Sequence, residues 1–263
     1  MGNRGRLIVA ALIALVALIS YFGNTSLNPL TGEKQRVAMT PEQEVAIGLR
    51  AAPEMAAQMG GLSQNAKARA LVERIGARLA RESLAAKSPY KFSFHVLADR
   101  RTVNAFALPG GPIFITEGLL ARLRTEGELA GVLGHEIGHV IARHSSERLA
   151  KQQLTQGLVS AVVVGSGDYT SAQIAQVAGN MINMRYGRDD ELESDALGIR
   201  IAFEAGYDPR AMAGVMEVLA SASGGSKQPE FASTHPAPEN RQARIKEEIA
   251  KRFPSGVPDG LVK

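Results

Sequence analysis

The chain has 263 residues, of which 45% are hydrophobic, and it carries a net charge of +4. This length allows one large hydrophobic core or two small ones, and we expect a single domain. Basic and acidic residues are intermixed and aromatic residues are few, so no nucleic-acid partner is expected. The absence of cysteine excludes disulfides, thiolate metal sites and cysteine nucleophiles.

An uncharged apolar run at residues 7–22 follows Arg4 and Arg6. As a helix it would be about 24 Å long, a little shorter than the roughly 30 Å hydrocarbon core of a bilayer. Tyr21 and Phe22 stand where a signal peptidase needs small residues, so we favour an uncleaved signal anchor over a signal peptide. The positive flank predicts that the rest of the chain lies across the membrane from it.

The predicted organisation has three parts. Residues 1–26 are the signal anchor or signal peptide, residues 27–39 are an exposed linker, and residues 40–263 form the folded domain. Thr40 is typical of a helix start, and this helix should run to about residue 60 with a kink at Pro53. Ser63 is the predicted N-cap of a second helix, which ends near residue 82.

A small antiparallel sheet is predicted next. Alternating apolar residues indicate a half-buried strand at residues 91–97, and residues 104–116 predict a hairpin. Because a missing N–H is tolerated at a sheet edge, Pro112 suggests that the second hairpin strand is an edge strand. An exposed edge can bind an extended peptide as an added strand; an ordinary surface hairpin is the alternative. The predicted substrate-binding edge consists of Ile113, Phe114, Ile115 and Thr116.

Residues 135–139 carry the HExxH signature of zinc hydrolases. On a helix, His135 and His139 project from one face, one turn apart, where both imidazoles can bind one metal ion. Glu136 lies about 100° around the helix, where it can reach a water beside the metal without being a ligand. The alternative is that both histidines are hydrogen-bonded core residues.

The face of this helix that carries the histidines has little side chain. Gly131, Gly138 and Ala142 share it, and glycine is costly inside a helix, so another part of the chain must come close. Thr125 and Glu128 indicate a capping box at the start of the helix, which should continue to about Lys151.

A catalytic zinc site of this type needs a third protein ligand. The elongated motif HExxHxxGxxH is excluded, because this chain has Ala142 and Ser145 at the two further positions. Glu191 and Asp195 share a helix face, so Glu191 can bind the metal while Asp195 orients a ligand histidine. Glu193 points away and is the weaker candidate, and a solvated acidic face is the alternative.

The remaining segments are predicted to be mostly helical. Residues 154–165 and 172–184 are apolar but too short to span a bilayer, so we expect buried or membrane-surface helices. Asp208 begins a helix that ends near residue 222, and residues 223–229 form a loop. The last predicted helix is amphipathic.

Four motifs resemble a family of zinc metallopeptidases that includes HtpX, the mitochondrial OMA-type peptidase and the CAAX prenyl proteases. The chain is most similar to the bacterial periplasmic branch typified by BepA, although no tetratricopeptide extension is expected. The likeness covers roughly residues 40–253, and Ser194 stands where the family often has alanine. The motifs are His135-Glu136-x-x-His139, Glu191-x-x-x-Asp195, Asn-Ala-Phe-Ala-Leu-Pro-Gly-Gly at residues 104–111, and Thr234-His235-Pro236 with Arg241.

The resemblance implies a mostly helical α+β fold of the gluzincin type, with a small sheet beside the HExxH helix and an N-terminal membrane helix. Residues 40–263 would then be a zinc metallopeptidase domain. The resemblance also implies a role in clearing misfolded or misassembled envelope proteins, with the catalytic domain in the periplasm.

The predicted mechanism is metal-assisted peptide hydrolysis. His135, His139 and Glu191 would hold one Zn²⁺, and Glu136 would act as general base. His235 or Arg241 would stabilise the oxyanion, or His235 would occupy the open coordination position and keep the enzyme latent.

Two other functions remain open. One is a membrane-anchored chaperone or assembly factor with a structural or latent zinc site. The other is a peptidase whose active site faces the cytoplasm. For the periplasmic peptidase itself, the alternative to a membrane-anchored enzyme is one that is soluble in the periplasm after signal cleavage.

Overall fold

A computed structural model of the chain describes residues 3–166, 187–222, 235 and 240–263. The predicted α+β, mostly helical class is confirmed. The contacts divide the chain into two compact units. The first falls within Met1–Thr40 and Arg143–Arg185, and the second within Pro41–Ala142 and Tyr186–Lys263.

The described residues form helices, one 3-10 turn and short strands. The helices are α1 (Asn3–Gly23), α2 (Pro41–Gln58), α3 (Ala66–Glu82), α4 (Glu117–Leu120), α5 (Glu126–Ile141), α6 (His144–Ser166), α7 (Arg188–Glu204), α8 (Ala211–Ala222) and α9 (Arg241–Arg252), and the 3-10 turn is Leu84–Lys87. The strands are β1 (Thr25–Leu27), β2 (Lys34–Arg36), β3 (Ser93–Leu97), β4 (Ala105–Ala107) and β5 (Pro112–Thr116).

The first unit contains a helix with the length and composition of a membrane span. Helix α1 has a mean hydropathy of 2.2 in its most apolar window, and none of that window is buried. Among the described residues it is the one helix that meets both criteria. It packs along α6, which belongs to the same unit.

The segment predicted to be an exposed linker forms a hairpin instead. Strands β1 and β2 pair antiparallel. In the turn, the Asn28 side chain accepts the N–H of Leu30 at 2.9 Å and donates to Gln35 Oε1 at 3.1 Å. Asn28 and Gln35 are both buried. The prediction of an exposed linker was wrong for these residues, because their polar groups bond each other and the turn backbone.

Helix α5 ends at Ile141 and does not continue to about Lys151 as predicted. Arg143 has a φ of 60°, in the left-handed region, and α6 begins at the next residue. The Arg143 guanidinium donates to the Met39 carbonyl oxygen at 2.6 Å. Helices that end in a left-handed residue usually have glycine or asparagine there. Here that residue is Arg143, and its side chain contacts Met39, which is distant in the sequence.

The second unit contains a three-stranded sheet in the order β3-β5-β4. The predicted hairpin is present, with Phe106 opposite Phe114 in the antiparallel pair β4 and β5. Strand β3 pairs with β5 in parallel, with Phe94 opposite Ile113. The sheet is therefore mixed, not purely antiparallel.

The predicted edge strand is the central strand of this sheet. Ile113, Phe114, Ile115 and Thr116 are at most 1% exposed and have β3 and β4 on either side. Pro112 fits there because it is the first residue of the strand, where its carbonyl oxygen accepts the N–H of Leu108 at 2.8 Å. The edge assignment was wrong, because the parallel pairing with β3 joins segments that lie apart in the sequence.

The helix starts agree with the sequence in one case and differ in another. Thr125 Oγ1 accepts the N–H of Glu128 at 3.1 Å, as predicted for the start of α5. The N-cap of α3 is Asn65, whose side chain accepts the N–H of Ala68 at 3.1 Å, and not Ser63 as predicted. Helix α2 continues through Pro53.

Helix α5 is the centre of the second unit. Its residues from Gly127 to Ile141 are all buried, and α3, α7 and α8 pack against it. Helix α9 adds Ile245 and Ile249 to a cluster with Ile199 of α7 and Met212 of α8. The predictions for residues 172–184 and 223–229, Thr234 and Pro236 fall outside the described residues.

Candidate metal centre

The HExxH motif lies in the middle of the buried helix α5. His135 and His139 are each 2% exposed, and their Nε2 atoms are 3.0 Å apart. The spacing of four residues therefore places both ring nitrogens at one point, as the motif predicts.

Helix α7 approaches this face of α5 at glycines. A Cβ on Gly138 would lie 3.1 Å from the Ser194 carbonyl oxygen, and one on Gly134 would lie 3.1 Å from the Gly198 carbonyl oxygen. A Cβ on Gly198 would lie 2.9 Å from the His135 backbone nitrogen. The two helix backbones are in contact here, as the glycines of α5 predict.

This close approach carries the Glu191 carboxylate to the histidines. Its Oε2 lies 3.5 Å from His135 Nε2, and its Oε1 lies 3.5 Å from His139 Nε2. His235 Nδ1 lies 3.0 Å from Glu191 Oε1. These four residues are buried, and each offers one potential ligand atom within 4.8 Å of the others.

The donor set fits a divalent metal ion. Atoms that bind zinc tetrahedrally at 2.0–2.1 Å are about 3.3 Å apart. Four separations between atoms of these residues are 3.0–3.5 Å, and all the potential ligand atoms lie within 4.8 Å of one another. Imidazole and carboxylate are ligands that zinc accepts, so the residues present suit such an ion.

Asp195 and Arg241 lie behind the potential ligands. Asp195 Oδ1 is 3.0 Å from His135 Nδ1, which suits an N–H donated to the carboxylate and leaves Nε2 for a metal. Arg241 Nε and Nη2 donate to Asp195, both at 2.8 Å, and Arg241 Nη1 lies 3.3 Å from Glu191 Oε2. The guanidinium is buried and directed at these two carboxylates.

Charge neutralisation keeps the two carboxyl groups ionised. Burial alone would raise the pKa of Glu191, but its hydrogen bonds to histidines hold it well below its usual range. Burial likewise opposes ionisation of Asp195, but the Arg241 charge lowers its pKa. Burial would lower the pKa of His135, but hydrogen bonds to Asp195 and Glu191 raise it to about 9.

Glu136 differs from these carboxylates. Its side chain is fully buried, and among the described residues neither of its oxygens has a hydrogen-bond partner. The nearest ion-pairing atom is His235 Nε2, 3.8 Å from Oε1. Burial raises the pKa of Glu136. A carboxyl group with a raised pKa next to potential metal ligands has the properties of a general base.

The structure brings most of the predicted residues together. His135, His139, Glu191 and His235 form the cluster, and Asp195 contacts His135 as predicted. The sequence reasoning missed Gly198, although Glu191, Asp195 and Gly198 have the spacing of one helix face. It also missed the ion pair between Asp195 and Arg241, since no local pattern joins residues on separate helices.

The chain is similar to several curated peptidases. It is 36% identical to the mitochondrial metalloendopeptidase OMA1 of Schizosaccharomyces pombe over 162 residues. This alignment covers 61% of the present chain and 47% of OMA1. It is 32% identical over 182 residues to the beta-barrel assembly-enhancing protease of Escherichia coli K12, and the alignment covers 65% of the present chain and 37% of that protease. The metalloprotease YcaL of the same strain is 32% identical over 169 residues, and the alignment covers 62% of the present chain and 63% of YcaL. The chain thus spans less than two thirds of the length of each.

The family comparison covers the whole cluster as well as the sheet. The sequence profile of Peptidase family M48 matches residues 66–249, well over half of the chain. The match includes both histidines of the HExxH motif, the downstream glutamate and Arg241. Together with the buried group of potential metal ligands, it shows that this chain belongs to peptidase family M48.

Proposed function

We propose that this chain is a zinc-dependent endopeptidase that cleaves misfolded or misassembled proteins of the bacterial cell envelope. The observation that carries the proposal is the buried cluster of three histidines and Glu191. Beside it lies Glu136, whose oxygens have no hydrogen-bond partner among the described residues. The names of the relatives, a metalloendopeptidase and a beta-barrel assembly-enhancing protease, support both the chemistry and the substrate class.

In this proposal His135, His139 and Glu191 hold the ion. When bound, zinc lowers the pKa of water towards about 7 and polarises a carbonyl group. Glu136 accepts the proton of the attacking water and delivers it to the leaving amine, for which its raised pKa is suited. Burial of the site excludes other water from the reaction.

Asp195 and Arg241 act as positioning residues. Asp195 holds the ring of His135, and Arg241 holds Asp195 with two nitrogens while the third faces Glu191. Because the nitrogens of Arg241 are used in this way, the predicted role in oxyanion stabilisation is better assigned to His235, which lies beside Glu136.

The proposed location is the periplasmic side of the inner membrane, with α1 as anchor. Helix α1 has the apolarity and length of a span, and Arg4 and Arg6 at its start favour the cytoplasmic side for its N-terminus. A soluble periplasmic enzyme after signal cleavage remains the alternative. The potential metal ligands, the match to the peptidase family and the apolar helix α1 together support a membrane-attached quality-control protease.

Glu136→Gln tests the proposed base. We expect casein cleavage to fall by about 10²–10⁴-fold, because general base catalysis is lost, while bound zinc stays near one per chain. Purified protein would be assayed for cleavage and for metal content. The matched control is Glu126→Gln in the first turn of α5, where Glu126 pairs with Arg74 at 2.5 Å. Equal activity of both variants would defeat the assignment.

His235 supports a second candidate function, in which zinc is structural or the enzyme is latent. Its Nδ1 belongs to the group of potential ligands, and four protein ligands would close the coordination sphere. A closed site suits a membrane-anchored chaperone or assembly factor, whereas an open one suits catalysis. Rescue of a deletion phenotype by Glu136→Gln would favour the chaperone.

His235→Ala separates latency from oxyanion stabilisation. If His235 closes the site, the variant should keep its zinc and cleave casein several-fold faster than wild type. A loss of about 10²-fold with zinc retained would assign His235 to the oxyanion. The double variant with Glu136→Gln is the control, because any gain in cleavage must disappear in it.

A further inference from the structure

Helix α6 has two unlike halves. Its first half carries Glu147, Arg148 and Lys151. The second half, residues 154–166, contains no charged side chain. A surface helix of a soluble domain usually keeps charged residues along its whole exposed face, so this change along the helix requires an explanation.

The exposed residues of the second half are all uncharged: three are apolar, and three, Gln156, Ser160 and Ser166, are polar. Leu158 is 37% exposed, Val162 47% and Val163 38%. In helix α1 of the same unit, Leu12 and Val16 are more than half exposed. Both helices of this unit thus carry exposed apolar side chains.

Helices α1 and α6 are antiparallel and pack closely. A Cβ on Gly157 would lie 2.5 Å from the Cβ of Ala17, and one on Gly165 would lie 3.2 Å from the Cβ of Ala10. From Gly157 to Gly165 the helix rises about 12 Å, alongside the middle of α1. Small residues at the contact are typical of helix pairs in membranes, where close backbone approach replaces the hydrophobic effect.

The hydroxyl groups near this segment have internal partners. Thr155 Oγ1 donates to the Lys151 carbonyl oxygen and Ser160 Oγ to the Gln156 carbonyl oxygen, both at 2.8 Å. Such bonds within the helix remove the need for water at these groups. A cavity of about 460 Å³ between α1 and α6 is lined mainly by apolar side chains.

We propose that the second half of α6, residues 154–166, lies in the hydrocarbon of the bilayer beside α1. The proposal goes beyond peptidase activity and requires that α1 is a membrane span. The segment is about 20 Å long, so it enters the bilayer without being a full span of ordinary length. The charged first half of α6 then lies at or outside the membrane surface.

The absence of native cysteine allows single labels in the full chain. Val162→Cys and Val163→Cys would each carry an environment-sensitive fluorophore, with Lys151→Cys as the control on the charged half of the same helix. The proteins, in a Glu136→Gln background, would be reconstituted into phosphatidylcholine and phosphatidylglycerol vesicles. Doxyl groups on the acyl chains would serve as quenchers.

We expect blue-shifted emission and several-fold stronger acyl-chain quenching at positions 162 and 163 than at position 151. Aqueous emission at both positions, with rapid labelling by an impermeant maleimide, would overturn the proposal. A second result would also overturn the proposal: blue-shifted emission that doxyl groups do not quench and that is lost when the protein is diluted into excess lipid. That result would indicate that two copies of the chain contact each other at this surface. Fluorescence needs no catalysis, so failure of the peptidase proposal would be seen separately.

Discussion

Asp195 shows how a residue that binds no metal can control a metal site. It accepts from His135 and from Arg241, so it fixes the imidazole and neutralises a buried cation at once. Outer partners of ligand histidines typically change metal affinity by 10–100-fold. We therefore interpret Asp195 as the link between the metal cluster and helix α9.

Asp195→Asn should weaken zinc binding by about 10–100-fold, because the charged acceptor for His135 is lost. Competition with a chelating dye in detergent would measure the affinity. Asp189→Asn, an exposed position on the same helix, is the control and should bind zinc as wild type does. Unchanged affinity in Asp195→Asn would show that Arg241 and Glu191 alone position the site.

The individual site residues were largely predictable. Spacing alone brought His135, His139, Glu191 and Asp195 to shared faces, since helical periodicity is a local property. The partner of Asp195 was not predictable, because Arg241 reaches it from another helix. Local patterns thus identify candidate ligands, whereas ion pairs between elements depend on packing.

At the scale of elements, the contact between α5 and α7 determines the site. Gly198 brings α7 against the backbone of His135, where a Cβ would lie 2.9 Å from the nitrogen atom. Gly131 differs, because its nearest neighbours would be 3.6 Å from a Cβ, an ordinary contact distance. The two glycines therefore form a matched pair for mutation.

Gly198→Ala should lower the free energy of unfolding by about 1–3 kcal/mol, because the added methyl group pushes two backbones apart. Gly131→Ala should be neutral or stabilise by up to about 1 kcal/mol, because alanine favours the helix. Urea denaturation would measure both, and a zinc titration should show weaker binding in Gly198→Ala alone. Equal stability of the two variants would contradict the close packing.

Helices were predicted better than strand order. Periodicity and capping residues indicated α3, α5 and α9, although the N-cap of α3 is Asn65 and not Ser63. The central position of β5 and the end of α5 at Arg143 were missed. Both depend on partners far away in the sequence, namely β3 and Met39.

At the scale of the whole molecule, the metal site connects three helices. His135 and His139 come from α5, and Glu191 and Asp195 of α7 pair with Arg241 of α9. All five side chains are nearly inaccessible to solvent. A ligand that binds only the folded state stabilises it. At a free ligand concentration of 100 times the dissociation constant, this stabilisation is about 2.7 kcal/mol. Zinc should therefore be a structural as well as a catalytic component of this domain.

Removing zinc with a chelator should lower the melting temperature by roughly 5–10 °C, as expected for that free energy in a chain of this size. The effect of zinc should be smaller at pH 6 than at pH 8. The pKa of His135 is about 9 without metal, so protons compete with zinc more strongly as the pH falls. Calorimetry at both pH values would measure the shifts.

His139→Ala provides the control for this experiment. It removes one potential ligand, so added zinc should raise its melting temperature much less than that of wild type. A wild-type melting temperature that is independent of zinc at both pH values would contradict a metal held by this cluster.

The ion pair between Asp195 and Arg241 has a consequence for shortened chains. A protein cut after residue 239 would keep His135, His139, Glu191 and His235, yet it would lose the cation that compensates two buried anions. An uncompensated buried charge typically costs 3–5 kcal/mol. C-terminal clipping should thus inactivate the enzyme as effectively as loss of a ligand, and intact metal-binding motifs in such a fragment would be no sign of competence.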